Sequence, residues 1–309
     1  MEANATMSES AVHGKPFWRT LLILGRVSNL PTVWSNCLAG WILAGGGAWE
    51  RFLLLCSGAS FLYAGGMYLN DAFDAEFDRQ HRVDRPIPSG AISCPWVWTL
   101  GILWLLVGLG CVAVLAFHPP NREGVPNVPK TLLLAGLLAG AIVFYDAVHK
   151  AFTVSPVLMA ACRFFLVLLA ASIGDIGVTG LSIWTALVMA SYIVGVSYIA
   201  RHESISTALR YWPCIFMAIP IVLAVVVNRG EWRIRGLTLS ALLIIWTIQS
   251  LFHAYWVADK NIGRCVSRLL AGIVLVDVLS VANAGPGVLF AFGGLFVLAL
   301  IFQHFIPAT

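Results

Sequence analysis

Residues 70–90 read NDAFDAEFDRQHRVDRPIPSG and follow directly on an apolar run that ends Gly66-Met67-Tyr68-Leu69. The chain carries fifteen Asp plus Glu, and Asp71, Asp74, Glu76, Asp78 and Asp84 all fall in this short stretch. If the preceding helix continues, Asn70, Asp74 and Asp78 recur at helical spacing, with Asp71 beside them, as one acidic stripe. Carboxylates stacked in this way repel, and the usual remedies are protonation, basic partners or a divalent cation. Hard oxygen donors with an amide carbonyl suit Mg²⁺, which is commonly held by one or two carboxylates together with substrate phosphate oxygens. The stripe therefore points to a phosphate-bearing ligand. Arg79, Arg82 and Arg85 follow at once, and an arginine can meet remaining phosphate charge with two parallel hydrogen bonds. The plainer alternative is a solvated helix end whose acids pair with those arginines. Two features weigh against it: Asn70 shares the spacing of the acids, and Arg85-Pro86-Ile87-Pro88-Ser89-Gly90 is a rigid turn that would fix Arg85 near them.

Working outward, the 309 residues are 59% hydrophobic and only 11% charged, far below the charge of an ordinary soluble domain. Repeated apolar runs of membrane-spanning length predict an all-α polytopic transmembrane bundle. The expected spans are 27–46, 52–69, 95–117, 131–148, 154–174, 181–200, 212–228, 237–257, a weaker 268–284, and 288–305, which makes nine or ten helices. A net charge of +4, dispersed along the chain, excludes a nucleic-acid binder, which needs a concentrated basic face. Seven cysteines at 37, 56, 94, 111, 162, 214 and 265 show no metal-ligand spacing and read as reduced, mostly buried thiols. The opening segment lacks the pattern of a cleaved signal peptide. The expected organisation is a polar tail over 1–15 and a single transmembrane domain over 16–309. With the N-terminus in the cytoplasm and ten crossings, most Lys and Arg fall on the inner side, which would put the acidic stretch there too. The basic cluster from Arg229 to Arg235 argues the other way.

Taken together, these residues resemble the UbiA superfamily of intramembrane prenyltransferases. Asn70, Asp74 and Asp78 match its N-x-x-x-D-x-x-x-D signature, and Arg85 to Gly90 match the R-P-x-P-S-G that follows. The resemblance extends through the placement of the motif after the second helix and through Arg26 with Pro31 early in the first. It implies a UbiA-like helical bundle around a cavity open to the membrane, with Mg²⁺ on Asn70, Asp74 and Asp78 supported by Asp71. The implied partners are an isoprenyl diphosphate, a lipophilic acceptor that is aromatic or otherwise, and membrane lipids. A bacterial plasma membrane, with the motif on its cytoplasmic side, is the expected location. The implied substrate contacts are Arg26, Arg82, Arg85, Tyr145, Lys150, Arg163 and Arg201.

Two departures keep alternatives open. The family's Tyr followed by a Lys-Arg pair is matched by Tyr145 and Lys150, with His149 at the first basic position. A helix-capping lysine is the structural alternative for Lys150. Where a second aspartate-rich motif is usual, this chain has Val196 and the run Ser197-Tyr198-Ile199-Ala200-Arg201-His202-Glu203. Glu203 alone supplies a carboxylate there, as a water-mediated metal contact or as the base that takes the acceptor's proton. Arg201 would replace a missing cation. Such a change is similar to a divergent branch of the family, like that of the EboC proteins. The alternatives are other prenyl chemistry on the same fold, such as cyclisation or hydrolysis, and a non-catalytic prenyl-lipid carrier. His202-Glu203 is not a zinc-protease motif, because Ser206 stands where the second His is needed. Two ionisable residues within apolar spans, Arg163 and Asp277, should face the bundle interior. Arg163 lines a diphosphate pocket or satisfies helix carbonyls and a structural acid, and Asp277 reads as structural.

Overall fold

The structure is a computed structural model that describes residues 16–118, 128–150, 152–201, 210–257 and 261–308. In chain order its α-helices are α1 (Phe17–Leu24), α2 (Leu30–Leu43), α3 (Trp49–Phe73), α4 (Ala75–His81), α5 (Cys94–Phe117), α6 (Val128–Val148) and α7 (Ser155–Ile173). Next come α8 (Gly180–Arg201), α9 (Pro213–Val227), α10 (Arg233–Tyr255), α11 (Ile262–Ala271), α12 (Ile273–Ser280) and α13 (Pro286–Phe305). Helices α5, α7, α9 and α13 each open on a proline in the first two positions, where a missing N–H costs the helix nothing. Among the described residues seven helices are long and apolar enough to cross a membrane. The chain is an integral, multi-pass membrane protein. The outer faces of α5, α10 and α13 leave Leu103, Leu106, Ile245, Phe290 and Ile301 exposed, as lipid contact requires.

Three expected spans turn out differently: the one expected over 212–228 is α9, an apolar helix of only 15 residues. The run expected over 27–46 is a 3₁₀ turn, Val27–Asn29, leading into α2, which has only 14 residues and rises about 21 Å. Its side chains from Val33 to Trp41 are buried save Trp34, so α2 is a central strut of the bundle. The weak segment expected over 268–284 is α11 and α12 joined at Gly272. A Cβ at Gly272 would sit 2.6 Å from the Tyr192 hydroxyl, so the break is where another helix presses close. From Ile273 to Leu279 every residue of α12 is buried, which marks a core element with no lipid-facing side.

The pairing of α3 with α5 rests on small residues. A Cβ at Gly65 would come 2.9 Å from the Gly101 carbonyl oxygen, and one at Gly108 would come 2.8 Å from that of Gly58. Glycines seven residues apart on both helices let the two backbones meet, the usual solution where lipid offers no hydrophobic drive for helix association. This contact fixes the end of α3 from which the acidic residues project.

Candidate functional site

Helix α3 carries Asn70 and Asp71 in its last turn, and Asp74 joins it to α4 in right-handed helical conformation (φ −82°, ψ −7°). The Asp74 N–H donates to the Asn70 carbonyl at 3.0 Å, and the Asp78 N–H to that of Asp74 at 2.9 Å. The helical register is thus carried across the joint, and the acidic residues keep the spacing the sequence predicts. Asn70, Asp71, Asp74 and Asp78 are all buried, Asp78 down to 2% exposure. Glu76 instead pairs with Arg79 on the exposed side of α4. The stripe is therefore not a solvated helix end.

Buried carboxylates need cations, and these arrive from three other parts of the chain. Arg26 donates to Asn70 Oδ1 at 3.3 Å and to Asp71 Oδ1 at 3.4 Å. Arg85 reaches Asp71 Oδ1 at 3.0 Å and Asp78 Oδ2 at 3.4 Å. Lys150 Nζ lies 2.7 Å and His149 Nε2 3.3 Å from Asp74 Oδ1. The turn after Arg85 explains its reach: Ser89 and Ala91 donate their N–H groups back to Arg85 and Pro86, while Ile87 packs with Leu24, Tyr68 and Ala75. Lys150 also sits 3.9 Å from the centre of the Phe77 ring, and Tyr145 stacks on His149 at 5.2 Å.

The electrostatics separate the two outer carboxylates. Burial pushes the Asp74 carboxyl up, but the His149 and Lys150 contacts outweigh it and hold it below the usual range. Burial raises the Asp78 carboxyl, with Arg85 opposing and the Asp74 and Asp71 charges adding to the rise. Burial works against the His149 charge, yet its bond to Asp74 lifts the imidazole above its ordinary value. The donors fit a hard divalent cation. Asp78 Oδ1 is buried with no hydrogen-bond partner among the described residues. Among those residues no three acidic, His or Cys side chains are grouped so as to hold a metal ion by themselves; Mg²⁺ is commonly held by one or two carboxylates together with substrate phosphate oxygens.

Of the other expected contacts, Arg82 closes α4 through its N–H on the Asp78 carbonyl. Arg163 lies apart from the acidic cluster, in the bundle core. It donates to the Thr32 carbonyl at 3.1 Å, the Thr32 hydroxyl at 3.0 Å and Asn36 Oδ1 at 2.8 Å. Asn36 and Ser35 in turn donate to Asp277 Oδ2 at 2.7 and 2.6 Å. In this structure Arg163 satisfies a helix carbonyl and is linked to a structural acid. Arg201 donates to the Thr153 carbonyl, in the loop just beyond Lys150. Glu203 lies outside the described residues.

Two further residues take part: Asp146, which the sequence reading leaves out, and His149, which it names without a role. Asp146, 2% exposed, accepts from Asn70 Nδ2 at 3.1 Å. It is a third ionisable residue inside an apolar span, and that signal was there to be read. His149, at the first basic position of the element that begins at Tyr145, is a direct partner of Asp74.

Fold and site together define an intramembrane helical bundle with a buried acid and base cluster at the end of one long helix. Residues 30–206 match the UbiA prenyltransferase family, and the chain belongs to that family. Among solved structures, a UbiA homologue from Aeropyrum pernix K1 is similar with a TM-score of 0.63 at 15% identity, over 84% of this chain and 98% of that one. A UbiA homologue from Archaeoglobus fulgidus, solved bound to GPP and Mg²⁺, has a TM-score of 0.60 at 17% identity, over 93% and 97%. At these identities the likeness is one of fold. Among curated proteins, the digeranylgeranylglyceryl phosphate synthase of Methanoregula boonei is 33% identical over 120 residues, 38% of this chain and 40% of that protein. The synthase of Methanothrix thermoacetophila is 31% identical over 124 residues, 35% and 46% of the two chains. The matched stretch spans less than half the length of either relative.

Proposed function

We propose that this protein transfers an isoprenyl group from its diphosphate to a lipophilic acceptor within the membrane, with Mg²⁺ as cofactor. The observation that carries the reading is the convergence of four buried oxygen-donor side chains, Asn70, Asp71, Asp74 and Asp78, with cationic groups from three separate segments. Asn70, Asp74 and Asp78 hold the metal, with Asp71 in support. When bound, Mg²⁺ withdraws charge from the leaving diphosphate and so lowers the barrier to C–O cleavage. Arg26, Arg85 and Lys150 already lie against the acidic cluster and turn from its oxygens to the phosphate charge when metal and substrate bind. Arg82, Tyr145 and Arg201 complete the substrate-binding set. The surrounding apolar helices exclude the water that would quench an allylic cation. Glu203 assists the metal through water or accepts the acceptor's proton. The reading treats residues 16–309 as one membrane domain, with the acidic motif facing the cytoplasm of a bacterial cell.

The relatives' name puts glyceryl phosphates among the acceptors to be tried, beside phenols. Purified protein in detergent should release pyrophosphate from geranyl diphosphate when Mg²⁺ and an acceptor are present and stop when EDTA is added. Binding of geranyl diphosphate with no release under any acceptor would defeat the transferase reading in favour of a carrier. Release without an acceptor would point to hydrolysis or cyclisation. Lipid profiles of cells with and without the gene would then name the product.

A further inference from the structure

Arg26 reaches the acidic cluster from a backbone that L-residues rarely adopt. Its φ of 40° and ψ of 49° are left-handed, and it is the one non-glycine residue with positive φ among the described residues. Such a conformation persists only where the surroundings over-determine it. Part of that constraint is local: the Arg26 N–H donates to the Ile23 carbonyl and the Asn29 N–H to that of Arg26, each at 3.0 Å. Part comes from the other end of the chain. After α13 the extended residue Ile306 (φ −131°, ψ 124°) leads the tail back against this turn. Ser28 Oγ donates to the Pro307 carbonyl at 3.2 Å, and Asn29 Nδ2 donates to that of Ala308 at 3.0 Å. Ser28, Asn29 and Ala308 are all buried.

We propose that residues 306–308 act as a strap across the Arg26 turn, with Ser28 and Asn29 as positioning residues that keep the Arg26 guanidinium on Asn70 and Asp71. The strap grips through its own carbonyl groups, so any side chain that displaces the tail loosens the turn. The turn is tied on its other side as well, since Thr32 Oγ1 donates to the Asn29 carbonyl at 2.7 Å and accepts from Arg163. Loss of the strap frees one side only, and the bundle remains folded. The consequence for geranyl diphosphate rests on the reading given under Proposed function, whereas the mechanical claim does not.

Two variants test it from opposite sides. Ser28→Ala/Asn29→Ala removes the donors, together with the bond from Asn29 Nδ2 to the Tyr63 hydroxyl at 3.2 Å, and Ala308→Trp expels the tail without altering the turn. In both, amide hydrogen exchange over residues 25–30 should speed up about tenfold, with the core amides of α7 unchanged. Binding of geranyl diphosphate with Mg²⁺ should weaken about tenfold, as expected for a mispositioned charged donor. Ser28→Thr, which keeps the hydroxyl, should restore tight binding when Asn29 is intact. Unchanged exchange at 25–30 in Ala308→Trp overturns the strap. Faster exchange with undiminished binding overturns the positioning role. If the parent protein binds no geranyl diphosphate, the prenyl-diphosphate reading fails, and the exchange measurement decides the strap by itself.

Discussion

The side-chain amide of Asn70 is held at both ends: its nitrogen donates to Asp146 Oδ1 at 3.1 Å and its oxygen accepts from Arg26 at 3.3 Å. Asp146 thereby sets which face of the amide looks toward the other oxygen donors. Asp146→Ala should raise the Mg²⁺ concentration needed for half-maximal activity by roughly 10- to 100-fold, the usual effect of losing a group that orients a metal ligand. A Mg²⁺ titration of pyrophosphate release checks this, and an unchanged half-saturation point would remove Asp146 from the site.

Asp74 and Asp78 receive different cations, Lys150 with His149 in one case and Arg85 in the other. Asp74→Asn and Asp78→Asn keep shape and volume while removing charge. Each should cut turnover by on the order of a hundredfold or more, as for other preorganised electrostatic groups, with the fold retained. Near-normal rates in both would end the metal assignment.

Arg85 touches two carboxylates, Asp71 and Asp78, and under the proposed function it also binds the diphosphate. Arg85→Ala should raise KM for the prenyl diphosphate about tenfold, the cost of a lost charged hydrogen bond, and leave KM for the acceptor nearly unchanged. Equal rises in both constants would indicate a general disturbance of the bundle.

The core network of Arg163, Asn36 and Asp277 holds α7, α2 and α12 together. Asp277→Leu or Arg163→Met alone should destabilise by about 3 to 5 kcal/mol, because each strands buried polar partners. The double variant should lose less than the sum. Thermal unfolding in detergent measures both, and strict additivity would show that the two residues act independently.

Backbone contact between α3 and α5 gives a test that does not involve the site. Gly65→Ala puts a methyl group 2.9 Å from both the Gly101 carbonyl oxygen and the Leu105 nitrogen, whereas a Cβ at Gly110 meets nothing within 4 Å. The first should cost roughly 1 to 3 kcal/mol of stability, as overpacking does. Gly110→Ala, measured in parallel, should be neutral or slightly stabilising.

The sequence by itself determined the membrane bundle, most of its spans and the acidic stripe. Hydropathy and helical spacing are local properties, and the helical register survives the joint at Asp74. Local pattern did not reveal that α2 is short and enclosed, or that α11 and α12 are separate helices, because an apolar run looks alike against lipid and against protein. The cluster's composition was also a tertiary matter. Arg26 lies 45 residues from Asp71 and Asp146 lies 76 from Asn70, and only the packed bundle decides which distant charges meet a buried carboxylate. Arg163 carries the same charge as Arg85, yet the core took it to balance Thr32, Asn36 and, through them, Asp277. The tail joins the Arg26 turn through its own peptide carbonyls, which accept from Ser28 and Asn29 and which every residue possesses, so no side chain of the tail announces the contact.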